Sequence, residues 1–329
     1  MNFDELFQSF SNIKIAVLGD AMLDTYWWGN TERISPEAPV PVVSVSKKEQ
    51  RIGGAGNVAL NLASLGCPVQ MITVLGNDEE AGILEKLLAQ NNISTGYVLK
   101  SDHRVTTNKI RIISRNQHMM RLDAEITKPI SAAEEDALLK NFEKYIETEK
   151  PAIVILEDYN KGILTEKVIT TAISLCKKNK VLTAVDPKRK NFFAYKGADI
   201  FKPNLKEAKE GLNIIGDELS AASLEAIHLA LHARLQHDTS FITLSEKGVY
   251  YQGQNEKEWI PTHVRSIADV SGAGDTVIAV AALVFAATKN RKLMAEVANI
   301  AGGLVCEEVG TVAIDKEKLL NECRTLIRG

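Results

Sequence analysis

Asp275 stands directly after a turn of small residues, Gly272-Ala273-Gly274, and a strongly apolar run follows it at once. A small-residue turn at a helix start leaves backbone N–H groups unpaired and aimed outward, where the helix dipole also favours an anion. A carboxylate beside such a turn can take a proton from a hydroxyl while the N–H groups hold a phosphate, which is the chemistry of phosphoryl transfer. The same pattern also fits an acid that stabilises its own helix, and the local sequence leaves both possibilities open.

Other segments carry further candidates. Arg51-Ile52-Gly53-Gly54-Ala55-Gly56-Asn57 precedes a helical pattern over Val58–Leu65. Its glycines admit a ligand close to the backbone, and Asn57 suits a sugar hydroxyl. Neither glycine turn is a dinucleotide fingerprint: the third glycine of GxGxxG would fall at Ala59 in the first and at Val277 in the second. That disfavours a nicotinamide dehydrogenase. GxxxxGK[ST], GxSxG and HExxH are all missing, and the six histidines form no ligand cluster. Asn204-Leu205-Lys206-Glu207 reads as a capping box, and its amide and carboxylate also suit Mg²⁺-bound water beside nucleotide phosphates. Ser245-Glu246-Lys247-Gly248 is by itself a hairpin signal.

These groups need a scaffold. Short β-branched runs over Ile13–Gly19, Val69–Gly76, Ala152–Leu156, Val181–Val185 and Phe241–Leu244 alternate with helical patterns. The pattern predicts an α/β fold with a mostly parallel central sheet covered by helices on both faces. The runs end in Gly19-Asp20, Gly76-Asn77-Asp78, Glu157-Asp158 and Asp186-Pro187-Lys188, so one sheet edge should be lined with acids, as ligand edges of open α/β sheets are. Two β-rich segments, about 25–50 and 101–124, interrupt the rhythm and are expected to form one small β-sheet lid over that edge. The second is basic: Lys109, Arg111, Arg115 and Arg121 lie close together, and strand alternation puts Lys109 and Arg111 on one face. Lys161 and Lys188 lie near strand ends, and two or three of these cations suit a phosphate on the ligand.

The bulk properties narrow the class. The 329 residues are 45% hydrophobic and 25% charged, with a net charge of −3 and no long basic run, which makes nucleic acid a poor candidate partner. Four scattered cysteines form no CxxC pair, as expected for a reducing cytoplasm. The N-terminus has no basic n-region, and the longest wholly apolar run, Val277–Ala287, is too short for a bilayer. A cytoplasmic protein without a membrane partner is expected.

The order of these motifs resembles the PfkB (ribokinase-like) sugar kinase family from about residue 12 onward. Gly19-Asp20…Asp24, Gly53-Gly54-Ala55-Gly56-Asn57, Asn204…Glu207 and Asp269-Val270-Ser271-Gly272-Ala273-Gly274-Asp275 carry the likeness. Within that family, Gly19–Gly29, Arg33–Pro41, Lys109-Ile110-Arg111, Ser114-Arg115-Asn116-Gln117, Arg121-Leu122-Asp123, Asp158–Gly162 and Asp186-Pro187-Lys188 resemble the kinase half of the bacterial D-glycero-β-D-manno-heptose-7-phosphate kinases. The resemblance implies a ribokinase-like fold and an ATP-dependent kinase, with Mg²⁺ and a monovalent cation such as K⁺ as cofactors. It implies Asp275 as catalytic base and Gly272, Ala273 and Gly274 as anion hole. Asn204, Leu205, Lys206 and Glu207 would serve ATP and Mg²⁺, and Ser245 and Gly248 the nucleotide. Asp24, Gly53, Gly54 and Asn57 would hold the sugar hydroxyls, with Lys109, Arg111, Asp158, Lys161 and Lys188 completing the substrate site. Two residues depart from the family pattern: Glu157 replaces a small hydroxyl residue and Leu244 a basic one. Residues 1–329 are expected to form a single kinase domain without an attached nucleotidyltransferase, and to dimerise through the lid. A kinase for another sugar, or a non-catalytic sugar- or nucleotide-binding regulator, remains the alternative.

Overall fold

The strand β1, Ile15–Gly19, is buried at every position, and its neighbouring residues enter different cores. Ile15 and Val17 pack into one apolar cluster, Ala16 and Leu18 into another. A strand covered on both faces needs apolar residues without alternation, which is why these runs are continuous. The computed structural model describes residues 2–115, 117–216, 219–263 and 265–327. Asn116 and Gly329 therefore lie outside the described residues.

Among the described residues the further strands are β2 Ala21–Ile34, β3 Pro41–Gly54, β4 Val69–Ile72, β5 Val74–Gly76, β6 Ile93–Ser94, β7 Leu99–Ser101, β8 Asn108–Ser114 and β9 Gln117–Ala124. Then follow β10 Ile153–Glu157, β11 Leu182–Asp186, β12 Ile200–Phe201, β13 Thr239–Thr243, β14 Val249–Gly253 and β15 Glu256–Ile260. The helices are α1 Phe3–Ser9, α2 Ala55–Ser64, α3 Glu79–Gln90, α4 Ala132–Glu149 and α5 Glu166–Lys178. They continue with α6 Leu205–Leu212, α7 Ala221–Leu235, α8 Ala273–Thr288, α9 Arg291–Val305 and α10 Lys316–Leu326.

Nine strands form the main sheet in the order β15-β14-β13-β12-β11-β10-β1-β4-β6. It is parallel except for the β13–β14–β15 meander at one edge. Helices α1, α2, α3, α8, α9 and α10 contribute to the core on one face, and α4, α5, α6 and α7 to the core on the other. No helix of the described residues is long and apolar enough to cross a membrane.

The run Val69–Gly76 is not the single strand its sequence predicts. It breaks at Thr73 into β4, in the main sheet, and β5, which pairs with β7. Thr73 is fully buried, and its hydroxyl donates to the Gly19 carbonyl at 2.7 Å. The polar break is thus satisfied at the end of β1 rather than by continued pairing.

The lid is a second sheet, β3-β2-β8-β9. Two distant segments join through the parallel β2–β8 pair, as expected, but the first runs longer than the sequence signal, from Ala21 to Gly54. The chain passes from β1 through Asp20 alone into β2, and β3 returns directly into α2.

Candidate active site

Sheet register brings the strand-end acids together. Gly19 pairs with Glu157, and Glu157 with Asp186, on three adjacent strands. Helices α2 and α8 enter this edge. Every other described α-helix has a side chain accepting from its first-turn N–H groups, whereas α2 and α8 begin at Gly54 and Gly272 with no side-chain cap. Gly272 has φ 79°. The Ala273 N–H goes to Val270 O at 3.3 Å and that of Thr276 to Gly272 O at 3.0 Å. Gly272, Gly274 and Asp275 keep N–H groups with no acceptor among the described residues, so they, rather than Ala273, are the free donors of the turn. Asp269 fixes the turn by accepting from Ser271 N and Oγ at 2.9 and 2.8 Å and from Gly310 N at 2.9 Å.

Asp275 does not cap its own helix. Its Oδ2 accepts from the Asn57 amide at 2.8 Å, and its Oδ1 from the Tyr159 hydroxyl at 2.6 Å. It is 5% exposed. Burial pushes its pKa up to about 6; the Tyr159 and Asn57 hydrogen bonds oppose that rise and the charge of Asp186 adds to it. A carboxylate with this pKa is ionised at neutral pH and still basic enough to accept a proton from a hydroxyl.

The lid supplies the next groups. Asp24 Oδ1 accepts from Arg111 at 2.6 Å, and Lys109 occupies the facing position on β8. A Cβ on Gly53 would stand 2.4 Å from Asp24 Oδ2, so the carboxylate lies directly on the glycine backbone. Gly54, at φ 58°, is equally confined, with its virtual Cβ 2.4 Å from Asp20 O. Lys109 Nζ lies 5.2 Å and Lys188 Nζ 5.7 Å from the Tyr159 ring centroid. Lys161 pairs with Glu125 at 2.6 Å. Burial lowers the Lys109 pKa, against the nearby Asp24 charge. Burial also pulls on Lys188, but Asp186 and Glu207 outweigh it and leave its pKa raised. Arg115 and Arg121 lie exposed, the latter paired with Asp123 at 2.9 Å.

Two of the sugar candidates have other contacts. Asn57 is fully buried; besides holding Asp275 it is braced by Asn61, whose amide donates to Asn57 O at 2.9 Å. Asp158 turns inward, accepting from the Tyr195 hydroxyl at 2.8 Å and from Asn160 N at 2.7 Å, so its carboxylate braces the loop.

On the other side, Asn204 and Glu207 form a complete capping box on α6. The second Glu207 oxygen accepts from Lys188 at 2.7 Å, so cap and site share one residue. Lys206 is 84% exposed. Asn204 bridges to Thr243, which sets the Ser245–Lys247 turn beside it. Ser245 has φ 54° and Gly248 φ 92°; a Cβ on Gly248 would stand 2.0 Å from Ile260 O.

A family model described as pfkB family carbohydrate kinase matches residues 12–318. This chain belongs to the pfkB family of carbohydrate kinases. Bifunctional protein HldE of Aliarcobacter butzleri is 40% identical over 306 residues, covering 93% of this chain and 63% of that protein. Its counterpart in Psychromonas ingrahamii is 39% identical over 314 residues, covering 95% and 64%. The chain thus spans a little under two thirds of the length of these relatives. Among solved structures, phosphofructokinase-2 from Escherichia coli in complex with potassium superposes with a TM-score of 0.81 at 18% identity, covering 96% of this chain and all of that one. Arabidopsis thaliana ribokinase complexed with ribose and ATP gives 0.72 at 18% identity over 94% and 98%. The fold is ribokinase-like, and the protein is a phosphotransferase acting on a sugar alcohol.

The pfkB site also contains residues to which the sequence assigned no role. Lys202, 3% exposed, pairs with Asp186 at 2.8 Å. Its Nζ is the nearest group to a virtual Cβ on Gly274, at 3.9 Å, which sets it under the glycine turn. Glu157 is fully buried, and neither carboxyl oxygen has a hydrogen-bond partner among the described residues. Burial, then the Asp186 and Asp275 charges, push its pKa well above the ordinary carboxylate value, against the pull of Lys202 and Lys188. Their signal was present as acids and a lysine at strand ends. Tyr159 gave none, because its contact with Asp275 spans 116 positions.

Proposed function

We propose that this kinase transfers the γ-phosphoryl group of ATP to the C1 hydroxyl of D-glycero-β-D-manno-heptose 7-phosphate, giving the 1,7-bisphosphate and ADP. The observation that carries the substrate class is a cationic wall: Lys109 and Lys188 stand by the Tyr159 ring, whose hydroxyl bonds Asp275, and Arg111 and Lys161, paired with Asp24 and Glu125, lie near Lys109. An acceptor that already bears a phosphate needs such a wall, and a neutral sugar does not. The alignment with bifunctional protein HldE over nearly the whole chain supports the same choice.

Asp24, on the Gly53 backbone, orients the sugar hydroxyls. Asp275 takes the C1 hydroxyl proton as that oxygen attacks the γ-phosphorus in line; the bond to the β,γ-bridging oxygen breaks, and ADP leaves with its electron pair. Free N–H groups at Gly272, Gly274 and Asp275 stabilise the charge on the transferred group. Lys202, beneath the turn, adds positive potential there. Asn204, Ser245 and Gly248 line the nucleotide side.

Mg²⁺ fits this donor set. Asp186 Oδ1 is a buried acceptor with no hydrogen-bond partner, and Lys188, 3.7 Å from it, is also 2.7 Å from Glu207. Asp186 Oδ1 would hold the ion directly or through water, and Glu207, whose oxygens accept from Lys188 and Asn204 N, would act through water, the remaining positions falling to ATP phosphates. Bound there, it would neutralise phosphate charge. A monovalent cation such as K⁺ is a further proposed activator, supported by the potassium complex of phosphofructokinase-2. The exposed Met119, Met120 and Leu122 of β9 support a homodimer through the lid, which sedimentation would test. A cytoplasmic setting, where ATP is available, completes the proposal.

The deciding experiment is an ATP-consumption screen over free and phosphorylated sugars that includes heptose 7-phosphate. Turnover should require a phosphorylated sugar. Efficient use of an unphosphorylated ribose, fructose or nucleoside would overturn the substrate class.

A further inference from the structure

Tyr159 lies on the loop after β10, a segment of the chain separate from the glycine turns and the lid, and its hydroxyl reaches the proposed base. Each oxygen of Asp275 takes one donor from a different element: Oδ1 from Tyr159 at 2.6 Å and Oδ2 from Asn57 at 2.8 Å. Two donors on two oxygens fix the plane of a carboxylate, and the remaining lone pairs stay available to an incoming hydroxyl.

The loop that carries Tyr159 is itself held. Asp20, 1% exposed, accepts at Oδ2 from Tyr159 N at 2.8 Å and Lys161 N at 3.1 Å, and at Oδ1 from Ile163 N at 3.3 Å. Asp158 adds its bonds to Tyr195 and Asn160, and Lys109 and Lys188 stand over the ring. Four elements therefore define where one hydroxyl points. A tyrosine that only needed a partner for its own O–H would not require that degree of restraint.

We infer that Tyr159 is a positioning residue for phosphoryl transfer: held by Asp20, its hydroxyl fixes the orientation of the Asp275 carboxylate and keeps that carboxylate ionised. The inference rests on the assignment of Asp275 as base. A donor to the charged form favours that form, so the Tyr159 hydrogen bond lowers the Asp275 pKa against the effect of burial. Removing it raises that pKa, and the acid limb of activity must move to higher pH.

The test compares Tyr159→Phe with wild type as the ratio of kcat/KM across pH, in which titration of the substrate phosphates cancels. Loss of one charge-assisted hydrogen bond should move the limb up by about one pH unit. The deficit from ionisation alone is then about five-fold at pH 6 and nearly absent at pH 8. Any misorientation appears as a further pH-independent loss in kcat, with both KM values little changed. A 3-fluorotyrosine at position 159 is a stronger donor of the same shape and should move the limb the other way. A ratio flat at one in both variants, with kcat unchanged, would reduce Tyr159 to a packing role, and a sugar KM that rises at constant kcat would make it a substrate contact instead. Asp275→Asn separates the two levels. If it abolishes turnover while Tyr159→Phe leaves the limb in place, only the tyrosine inference fails; if it keeps turnover, the base assignment fails with it.

Discussion

Gly53→Ala adds one methyl group at the point where sheet, lid and site meet. Its Cβ would stand 2.4 Å from Asp24 Oδ2, 2.9 Å from Asp24 Cγ and 3.2 Å from Met22 Cγ. Nonbonded contact begins near ~3.5 Å, so roughly 1 Å must be found. The backbone cannot supply it, because Gly53 is paired with Met22 in register and runs straight into α2. Asp24 must therefore move, and it leaves Arg111, 2.6 Å away in a pair whose side chains are 17% and 8% exposed. Overpacking of this kind costs about 1–3 kcal/mol of stability. A shift of about 1 Å in a substrate-orienting group lowers catalytic efficiency by up to ~100-fold. Steady-state kinetics should show a sugar KM raised at least about ten-fold with the ATP KM unchanged, and thermal melts a loss of several degrees. Gly82→Ala in the exposed face of α3 is the control, since nothing lies within 4 Å of its virtual Cβ. That change should stabilise by up to about 1 kcal/mol, through helix propensity alone. A Gly53→Ala enzyme with wild-type affinity for its sugar would refute the reasoning that Asp24 is a substrate contact seated on this glycine.

Other outcomes follow from the same geometry. Asp275→Asn should bind ATP and sugar normally but lose kcat by a factor of about 10²–10⁴; calorimetry and turnover assays check both halves. Because the base must be ionised and burial has raised its pKa to about 6, wild-type kcat/KM should fall as pH drops through that value, and activity undiminished at pH 4.5 would contradict it. Arg111→Ala should raise KM for the phosphorylated sugar more than for ATP, which paired titrations of the two substrates measure. Lys202→Met leaves buried Asp186 with only the longer Lys188 contact, a loss of up to about 3–5 kcal/mol that denaturant melts would reveal and that Asp186→Asn should partly restore.

Much of this arrangement was legible in the sequence, because it depends on local rules. Acids recurring at the ends of continuous apolar runs marked the candidate ligand edge, since a strand buried on both faces shows its polar groups only where it ends. The capping box at Asn204 and Glu207 is a single-turn feature and was equally readable, whereas the start of α8 fitted both a helix cap and a catalytic turn until the fold bonded Asp275 to Asn57 and Tyr159. The two-segment lid was recognisable by its change of rhythm, though its first strand begins at Ala21, where no break in pattern marks it. Tertiary contact defeated the rest. Asn57 looks like a sugar ligand until the fold buries it against Asp275. Val69–Gly76 looks like one strand until Thr73 finds the end of β1. The upward pKa shift of Glu157 depends on burial that no window of sequence contains, and on acids 29 and 118 positions further along the chain.

The way the lid is attached has a mechanical consequence. With a single residue between β1 and β2, and none between β3 and α2, any movement of this ribbon against the main sheet must be taken up at Asp20 and the Gly53-Gly54 backbone or within the ribbon itself. Its register shifts lie farther out, between Trp28 and Gly29 and between Thr31 and Arg33. Asp24 and Gly53 lie inboard of the first shift, beside these connections. A sugar held by Asp24 would meet the regularly paired base of the ribbon, and the irregular outer part would remain to be ordered over it.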